Sequence, residues 1–257
     1  MGPRAASCYG FFVVARVVSK LVCVCALSGC GNEPYVIGRF LDASCEGQPA
    51  AIFCSGFERP DLSEWDRSVV INAGQVSQTE GMRRSGRGAL HASSTAAGSS
   101  GAVSVEFPSV YDGELFLRVY MYVPGGQDTM TTNVLFLGDL PAPDPFKGVD
   151  FNFESGAPEI FLPENDPNRF TSDLLVIPRD AWFCYQVRLA IAEDEGAVSI
   201  RVDGNLGLDA SGIDTLPPGG VHMLRAGIDW SSKQESPVTL YMDDLVLSST
   251  EVACDGP

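Results

Sequence analysis

At its centre the chain reads Leu115-Phe116-Leu117-Arg118-Val119-Tyr120-Met121-Tyr122-Val123. Aliphatic or methionine side chains occupy the odd positions, and aromatic or basic side chains occupy the even ones. Successive side chains of a β-strand point to opposite faces, so this period of two indicates a strand with one buried side. We expect the odd-numbered residues to face a core and the even-numbered residues to face outward.

The same alternation recurs along most of the chain. Stretches rich in Pro, Gly, Asp and Asn separate the alternating segments as turns, and no long segment has helical spacing. Many strands within a span of about 200 residues predict one all-β domain, a two-sheet antiparallel jelly-roll sandwich. The further predicted strands are residues 89–92, 102–107, 133–137, 149–153, 174–177, 183–192, 198–202, 221–228 and 238–247.

The first 29 residues indicate a bacterial lipoprotein signal peptide. Basic residues precede an apolar run, and Leu27-Ser28-Gly29 stands directly before Cys30. This order of charge, apolar core and small residues is typical of a lipoprotein signal. A transmembrane anchor is the alternative, but it needs about twenty uninterrupted apolar residues, and Arg16 and Lys20 interrupt the run. We therefore expect Cys30 to be the acylated first residue of the mature protein.

Lipidation predicts a location in the bacterial cell envelope, where the lipid anchor alone contacts the membrane. Gly31 follows the cysteine in place of the Asp that retains lipoproteins in an inner membrane, which favours the outer membrane. Residues 30–50 lack a periodic pattern and predict a flexible tether; residues 51–257 are the predicted domain. The formal net charge of −16 repels nucleic acid and anionic lipid, so we expect no nucleic-acid partner.

Four cysteines remain for disulfides after the signal segment and Cys30 are set aside. Exported proteins fold in an oxidising compartment, so this even set predicts two disulfides. Three pairings are open. We favour a short loop, Cys45–Cys54, and a long clamp, Cys184–Cys254, that ties the C-terminal tail to a central strand. A zinc site is disfavoured because no C-x-x-C spacing is present.

Both ends of the predicted domain resemble a known fold family. The segment with Phe57-Glu58 and the segment Tyr241-Met242-Asp243-Asp244-Leu245 resemble the opening and closing strands of concanavalin A-like lectin/glucanase jelly rolls. That superfamily includes laminin G-like modules and polysaccharide lyases. Trp182-Phe183-Cys184 with a tail cysteine is similar to secreted bacterial proteins of this fold. The resemblance implies neighbouring first and last strands and a concave sheet face that holds a glycan site.

Polar and aromatic side chains that alternate with core residues are the candidates for glycan binding. Aromatic faces stack on sugar rings, while Arg and Gln form hydrogen bonds with hydroxyls or carboxylates. The alternative is the solvated outer face of an ordinary sandwich, which shows the same alternation. The predicted glycan-binding residues are Arg118, Tyr120, Tyr122, Asn152, Gln186 and Arg188.

Asp150-Phe151-Asn152-Phe153-Glu154 is the main catalytic candidate, because alternation places its three polar side chains on one face. It resembles the Glu-x-Asp-x-Glu strand of laminarinase-type glucanases, and the resemblance assigns Glu154 to the acid/base position. Asp150 stands where that family has its nucleophilic Glu, and Asn152 replaces the middle Asp. A shortened nucleophile disfavours hydrolysis. A polar strand face beside a loop is the alternative interpretation.

A polysaccharide lyase needs a base and a group that neutralises the substrate carboxylate. Tyr120 or Tyr241 is a candidate base, and His222 is another, although a lone strand histidine is more often a packed or surface residue. The candidate neutralising residues are Arg118, Arg188 and Asn152.

The family resemblance also implies a structural calcium ion between the first and last strands. Calcium prefers hard oxygen ligands, which carboxylates and backbone carbonyls supply. The predicted ligands are Glu58 with Asp243 or Asp244. Acidic residues that face solvent or cap turns are the alternative.

The sequence thus predicts an envelope-anchored lipoprotein with a glycan-binding jelly-roll domain and a polysaccharide or other glycan as ligand. One alternative is a carbohydrate-active enzyme, a polysaccharide lyase before a glycoside hydrolase. Another is a non-catalytic structural protein of the envelope.

Overall fold

The computed structural model describes residues 47–127, 131–139, 147–163, 165, 167–232 and 237–254. Every regular element in this part of the chain is a β-strand, and none of it forms a helix able to cross a membrane. The strands are β1 (Ala51–Ser55), β2 (Arg67–Ile71), β3 (Gly74–Thr79), β4 (Ala89–Ser94), β5 (Ser100–Val110), β6 (Gly113–Tyr122), β7 (Thr132–Asp139), β8 (Lys147–Glu154), β9 (Ala157–Phe161), β10 (Arg169–Thr171), β11 (Trp182–Ile191), β12 (Gly196–Val202), β13 (Asn205–Ile213), β14 (Val221–Ser231) and β15 (Val238–Ser248).

The strands form two antiparallel sheets. Sheet A has the order β13-β12-β11-β6-β15-β4-β3, and β1 pairs with β15 as well. Sheet B has the order β10-β9-β8-β7-β14-β5-β2. Consecutive strands pair at one end of each sheet, as β13-β12-β11 and β10-β9-β8-β7, whereas pairs such as β6-β15 and β14-β5 join strands that are distant in sequence. The prediction of a two-sheet antiparallel sandwich is confirmed.

Strand β6 has the two faces that its alternation predicts. From Leu115 onward its odd-numbered residues, continued by Val123, are at most 2% exposed and belong to the main core. In sheet B, Val149, Phe151 and Phe153 of β8 enter the same core. Each fully buried side chain of this size stabilises the fold by about 1.5–3 kcal/mol, so the two inner faces hold the sheets together.

The first and last strands are neighbours, as expected from the family resemblance. Ser55 lies opposite Leu245, and Cys54 lies opposite Val246. The prediction that the first strand contains Phe57 and Glu58 is wrong, because β1 ends at Ser55; Phe57, two residues beyond it, is fully buried and stacks on Trp65 with ring centroids 5.7 Å apart. This pairing closes the sandwich where the chain enters and leaves the domain.

One predicted strand is wrong, and several observed ones lack a clear sequence signal. Residues 174–177 form no strand, and Leu174 and Val176 are 83% and 76% exposed. These residues therefore belong to a surface loop, although their apolar side chains alternate as in a strand. The strands absent from the prediction are β2, β3, β9, β10 and β13, which are short, lie towards sheet edges or mix polar residues on both faces.

The C-terminal tail is fixed by the predicted clamp. Cys184 of β11 and Cys254 form a disulfide with a Cα–Cα distance of 6.0 Å across 70 residues of sequence. Cys54 is disulfide-bonded too, whereas its predicted partner Cys45 lies outside the described residues, as do Cys30 and the signal segment. Closing a loop of this length stabilises a fold by roughly 4 kcal/mol in the chain-entropy model.

Tyr185 provides a test of the core. Its side chain is 0% exposed, and its hydroxyl has no hydrogen-bond partner within the described part of the chain. A buried hydroxyl without a partner destabilises a fold by about 1–3 kcal/mol. We therefore expect Tyr185→Phe to raise the free energy of unfolding by about 1 kcal/mol, measured by denaturant titration.

The matched control is Tyr111→Phe, because the Tyr111 side chain is 58% exposed. It should leave the unfolding free energy unchanged. Loss of stability in Tyr185→Phe would mean that the hydroxyl has a stabilising partner.

Candidate functional site

The outer face of sheet A contains the predicted groove residues, but the C-terminal tail lies across it. Arg118 donates a hydrogen bond to the carbonyl oxygen of Ala253 at 3.2 Å, and Gln186 donates one to that of Val252 at 2.8 Å. Arg118 is only 3% exposed and Tyr120 only 5%. The predicted Arg118–Tyr120 groove is therefore not an open surface, because the disulfide-bonded tail covers it.

Tyr120 is covered from a second direction. The guanidinium of Arg84 lies over its ring, 3.5 Å from the centroid. This contact belongs to the turn between β3 and β4. The side chain therefore packs between the tail and this turn, which accounts for its burial although it faces away from the core.

Gln186 and Arg188 line a cleft of about 390 Å³ beside the tail. Arg188 forms an ion pair with Glu114 across the β11–β6 pairing. Of the predicted sheet A residues, Tyr122 stays partly exposed and contacts the rings of Trp182 and Tyr241. Five of the six predicted glycan-binding residues therefore share this face, divided among a covered part, a cleft and an aromatic part, whereas the sixth, Asn152, lies on β8 of sheet B.

The outer face of sheet B carries the predicted catalytic strand. Because Val149, Phe151 and Phe153 enter the core, Asp150, Asn152 and Glu154 face outward together. Asn152 is 3% exposed and donates a hydrogen bond to Glu159 of β9 at 3.0 Å. This outer face is therefore an organised network of side chains, unlike a solvated strand surface.

Glu159 is the centre of this network, and the sequence analysis did not identify it. It is 2% exposed and accepts hydrogen bonds from Asn152, from Arg169 at 2.6 Å and from Thr171 at 2.9 Å. Its strand is five residues long and contains Pro158, so the alternation is too short to read. Its place opposite Asn152 is a matter of sheet register.

Asp150 lies beside a second part of the network. Arg225 donates two hydrogen bonds to the carboxylate of Asp229, at 2.8 and 3.0 Å. Burial raises the pKa of Asp150 to about 7; a hydrogen bond from Asn133 opposes the rise, and the charge of Asp229 adds to it. Burial also raises the pKa of Asp229. Asp150 is thus a partly exposed carboxyl that exchanges its proton near neutral pH. We call Asn133, Asp150, Asn152, Glu159, Arg169, Thr171, Arg225 and Asp229 the polar cluster.

The predicted combination of a tyrosine base with Asn152 is not assembled. Tyr120 and Tyr241 lie on β6 and β15 of sheet A, whereas Asn152 lies on β8 of sheet B. The core separates the two outer faces, so one sugar cannot contact both. Of the predicted neutralising residues, Arg118 and Arg188 lie on sheet A with the two tyrosines, and Arg118 is hydrogen-bonded to the tail.

His222 and Glu154 have other partners. The Nε2 atom of His222 is 3.5 Å from a carboxylate oxygen of Asp139. Glu154 accepts a hydrogen bond from the hydroxyl of Thr131. Both residues stay candidates, but within the described part of the chain their side chains bond to other residues than Asp150.

The predicted calcium ligands are engaged by hydrogen-bond donors. Asp243 accepts hydrogen bonds from the backbone N–H groups of Arg84 and Ser85, at 2.9 and 3.0 Å. Asp244 accepts them from the Arg84 guanidinium and the Ser85 hydroxyl, and Glu58 accepts two from the backbone N–H of Arg87. Donors point at the oxygens that a cation would need. No group of three or more His, Cys, Asp or Glu side chains suited to a metal occurs among the described residues.

These residues therefore do not fit a calcium ion as they stand, and calcium stays an untested prediction. Their observed contacts hold the turn at residues 84–87 against the last strand. Burial raises the pKa of Asp243 to about 7, and the neighbouring charge of Asp244 adds to the rise.

No protein-family model and no curated protein matches the chain. Solved structures do. An endo-β-1,4-glucuronan lyase from the fungus Trichoderma reesei is similar over 78% of this chain and 96% of its own, with 16% identity and a TM-score of 0.60. The domain shares the two-sheet antiparallel jelly-roll fold of this lyase.

Two further structures extend the comparison of this jelly roll. The cellulose-induced protein Cip1 is similar over 79% of this chain and all of its own, with 16% identity and a TM-score of 0.57. The receptor-binding domain of botulinum neurotoxin C/D mosaic serotype is similar over 79% of this chain and 49% of its own, with 11% identity and a TM-score of 0.51. Proteins with such different names share the fold, so the jelly roll alone does not select a function.

The raised pKa of Asp150 predicts a pH dependence of stability. The folded carboxyl keeps a proton that the unfolded chain releases above pH about 4. Ionisation of Asp150 therefore opposes folding, and stability falls as the pH rises from about 4 to about 7. Because Asp150→Asn removes this titration, we expect its melting temperature to fall less over that range than that of the unmodified protein.

Asp209→Asn is the control, since Asp209 is an exposed residue of sheet A. Melting curves at half-unit steps of pH give the comparison. Parallel curves for Asp150→Asn and the unmodified protein would show that Asp150 ionises in the folded state as it does in the unfolded chain.

Proposed function

We propose that this chain is an envelope-anchored bacterial lipoprotein whose jelly-roll domain binds a polysaccharide at the polar cluster of sheet B. The observation that carries this proposal is the hydrogen-bonded network around Glu159. The outer face of an ordinary sandwich sheet is solvated. Here Asn152 and Glu159 are almost fully buried on that face, with their side chains bonded to each other.

The buried network holds a rim of more accessible groups. Arg169 is bound to Glu159 and keeps 47% of its side chain exposed. Asp150 is partly exposed beside it, and Thr171 is exposed. Arginine, carboxyl and hydroxyl groups fixed by a buried layer are suited to the many hydroxyls of a sugar chain, because less side-chain freedom is lost on binding.

The aromatic ring of Phe161 adds a stacking surface to this rim. It lies opposite Asp150 in the β8–β9 pairing, and the Arg169 guanidinium lies 4.7 Å from its ring centroid. Sugar-binding sites combine such a ring with hydrogen-bonding groups. The names of the glucuronan lyase and of Cip1 both refer to polysaccharides, which supports a ligand of that class.

A polysaccharide lyase is the second candidate, and the raised pKa of Asp150 favours it. In β-elimination a base takes the proton at C5 of a uronate, the C–H electron pair forms the C4=C5 double bond, and the glycosidic oxygen leaves C4 and takes up a proton from the protonated base or from solvent water. A base works best when its pKa lies near the working pH. Asp150 would take the proton, with Arg169 or Asn133 close to the carboxylate of the sugar.

Removal of Arg169 tests the binding surface. Arg169→Ala deletes the exposed guanidinium of the rim, and we expect it to weaken binding to the best ligand of a soluble polysaccharide panel by about tenfold or more. The measurement is affinity electrophoresis of the full chain in detergent, with melting curves as a check of folding. Arg201→Ala is the control, since Arg201 lies on sheet A and bonds to Gly204.

Equal affinity for Arg169→Ala and the unmodified protein would rule out the polar cluster as the binding surface. The same mixtures, followed by the ultraviolet absorbance of unsaturated uronates, separate the two candidates. A signal that Asp150→Asn abolishes supports the lyase, and binding without that signal leaves a binding protein.

The proposed attachment to the membrane depends on acylation of Cys30. Cys30→Ala removes the thiol that would be acylated, so we expect loss of fatty-acid labelling and release of the protein from the membrane fraction. Ser28→Ala keeps a small residue before the cysteine and is the control. Labelling that persists in Cys30→Ala would show that another group carries the lipid or that the segment is not a lipoprotein signal.

A further inference from the structure

Four aromatic side chains form a straight row across the outer face of sheet A. Trp182 of β11 lies opposite Tyr122 of β6, Tyr122 lies opposite Tyr241 of β15, and Tyr241 lies opposite His91 of β4. We call these four residues the aromatic row. Neighbouring strands are about 4.8 Å apart, so the row spans about 14 Å.

All four side chains point away from the core. The residues beside them in sequence enter the core, namely Phe183, Met121, Val123, Leu240, Met242, Leu90 and Ala92. Because alternate residues of a strand face opposite sides, the four rings share the outer face. Each is partly exposed, so the row is accessible along its length.

The rings contact one another without lying in one plane. The centroids of His91 and Tyr241 are 5.0 Å apart with an interplanar angle of 28°. Tyr241 and Tyr122 are 6.0 Å apart at 72°, and Tyr122 and Trp182 are 5.8 Å apart at 56°. The row is therefore continuous but turned from ring to ring.

The covered half of sheet A ends at this row. The next line of outward residues, two positions along each strand, is Cys184, Tyr120 and Asp243. The tail disulfide, the Arg84 guanidinium and the turn at residues 84–85 cover that line. The charge of Arg84 is paired with Asp244 at 2.8 Å. The aromatic row is thus accessible, whereas the neighbouring line of Cys184, Tyr120 and Asp243 is covered.

We infer that the aromatic row, Trp182, Tyr122, Tyr241 and His91, is a second glycan-binding surface, which takes a single chain of a neutral polysaccharide. It is separate from the polar cluster on sheet B and does not depend on it. Aromatic faces pack against the apolar faces of sugar rings, and the Tyr hydroxyls and the Trp N–H are available for their hydroxyls.

Charge favours a neutral ligand. No Lys, Arg, Asp or Glu is part of the row, and burial lowers the pKa of His91, which keeps its ring neutral. The chain has a net charge of −16, which repels uronate chains and anionic membranes unless basic residues compensate. An uncharged sugar chain is not repelled by this negative charge.

The ring angles favour one soluble chain over a crystalline surface. Planes that differ by 28–72° between neighbours cannot all lie flat on one crystal face. Successive sugars of a free chain can turn with the rings. Soluble mixed-linkage β-glucan is therefore the probe, with microcrystalline cellulose, polygalacturonate and phosphatidylglycerol vesicles as the other arms.

The experiment measures β-glucan affinity of the full chain in detergent by affinity electrophoresis. We expect retardation of the unmodified protein, and at least about tenfold weaker binding in Trp182→Ala and Tyr122→Ala, as for aromatic residues at binding hot spots. Trp182→Phe keeps a stacking ring and should keep most of the affinity. Tyr111→Ala removes an exposed ring away from the row and should change nothing.

Hydroxyl-radical footprinting of the unmodified protein gives a second measurement that needs no substitution. Bound β-glucan should protect Trp182 and Tyr122 from oxidation and leave Tyr111 unprotected. The proposal is overturned by no retardation in β-glucan, by unchanged affinity in both alanine variants, or by no protection of the row. Preference for crystalline cellulose, polygalacturonate or the vesicles would overturn it as well.

The two glycan proposals fail separately. If Arg169→Ala alone abolishes β-glucan binding and the row variants do not, the row is not a binding surface and the polar cluster is. If the row variants alone abolish it, the row stands whether or not sheet B has a ligand.

Discussion

Sheet A depends on β15 changing its pairing partner at Asp243 and Asp244. On one edge, residues up to Met242 pair with β4, and residues from Leu245 onward pair with β1. The register with β6 on the other edge shifts between Asp243 and Val246, and Asp244 has a positive φ of 48°. Both carboxylates accept hydrogen bonds from the turn at residues 84–85. These bonds stabilise the bulge, and the bulge lets one strand join the beginning of the domain to its end.

The same change of partner divides the outer face of sheet A. Beyond the bulge, Val246 packs with Ala51, Cys54 and Val252, so the tail continues over β1 and β6. Before the bulge, Tyr241 remains open between Tyr122 and His91. The covered line of Cys184, Tyr120 and Asp243 thus lies beside an aromatic line that is accessible. Arg118 is buried because the tail and neighbouring residues of the sheet cover it. The alternation of β6 alone would leave this residue on an exposed face.

The sequence was sufficient for the long strands whose alternation extends over five or more residues. The alternation in β6 and β8 predicts which side chains of those strands face outward, and the structure agrees. It was insufficient wherever two distant segments meet. The carbonyl of Ala253 reaches Arg118 across 135 residues, and Glu159 meets Asn152 only through sheet register. Register is set by packing and turn geometry, and a slip of one residue would exchange the faces. The four rings of the aromatic row come from four strands, so no local pattern could place them side by side.

The three carboxyl groups of the polar cluster, Asp150, Glu159 and Asp229, differ in their charged partners. Asp229 has Arg225 as its partner, and Glu159 has Arg169. The charges of both arginines lower the pKa of Asp150. Each arginine is already paired with another carboxylate at hydrogen-bond distance. Burial is the main cause of the raised pKa of Asp150 and the charge of Asp229 adds to it, while the hydrogen bond from Asn133 and the two arginines oppose the rise only in part. With a pKa of about 7, the carboxyl of Asp150 can hold or accept a proton at neutral pH.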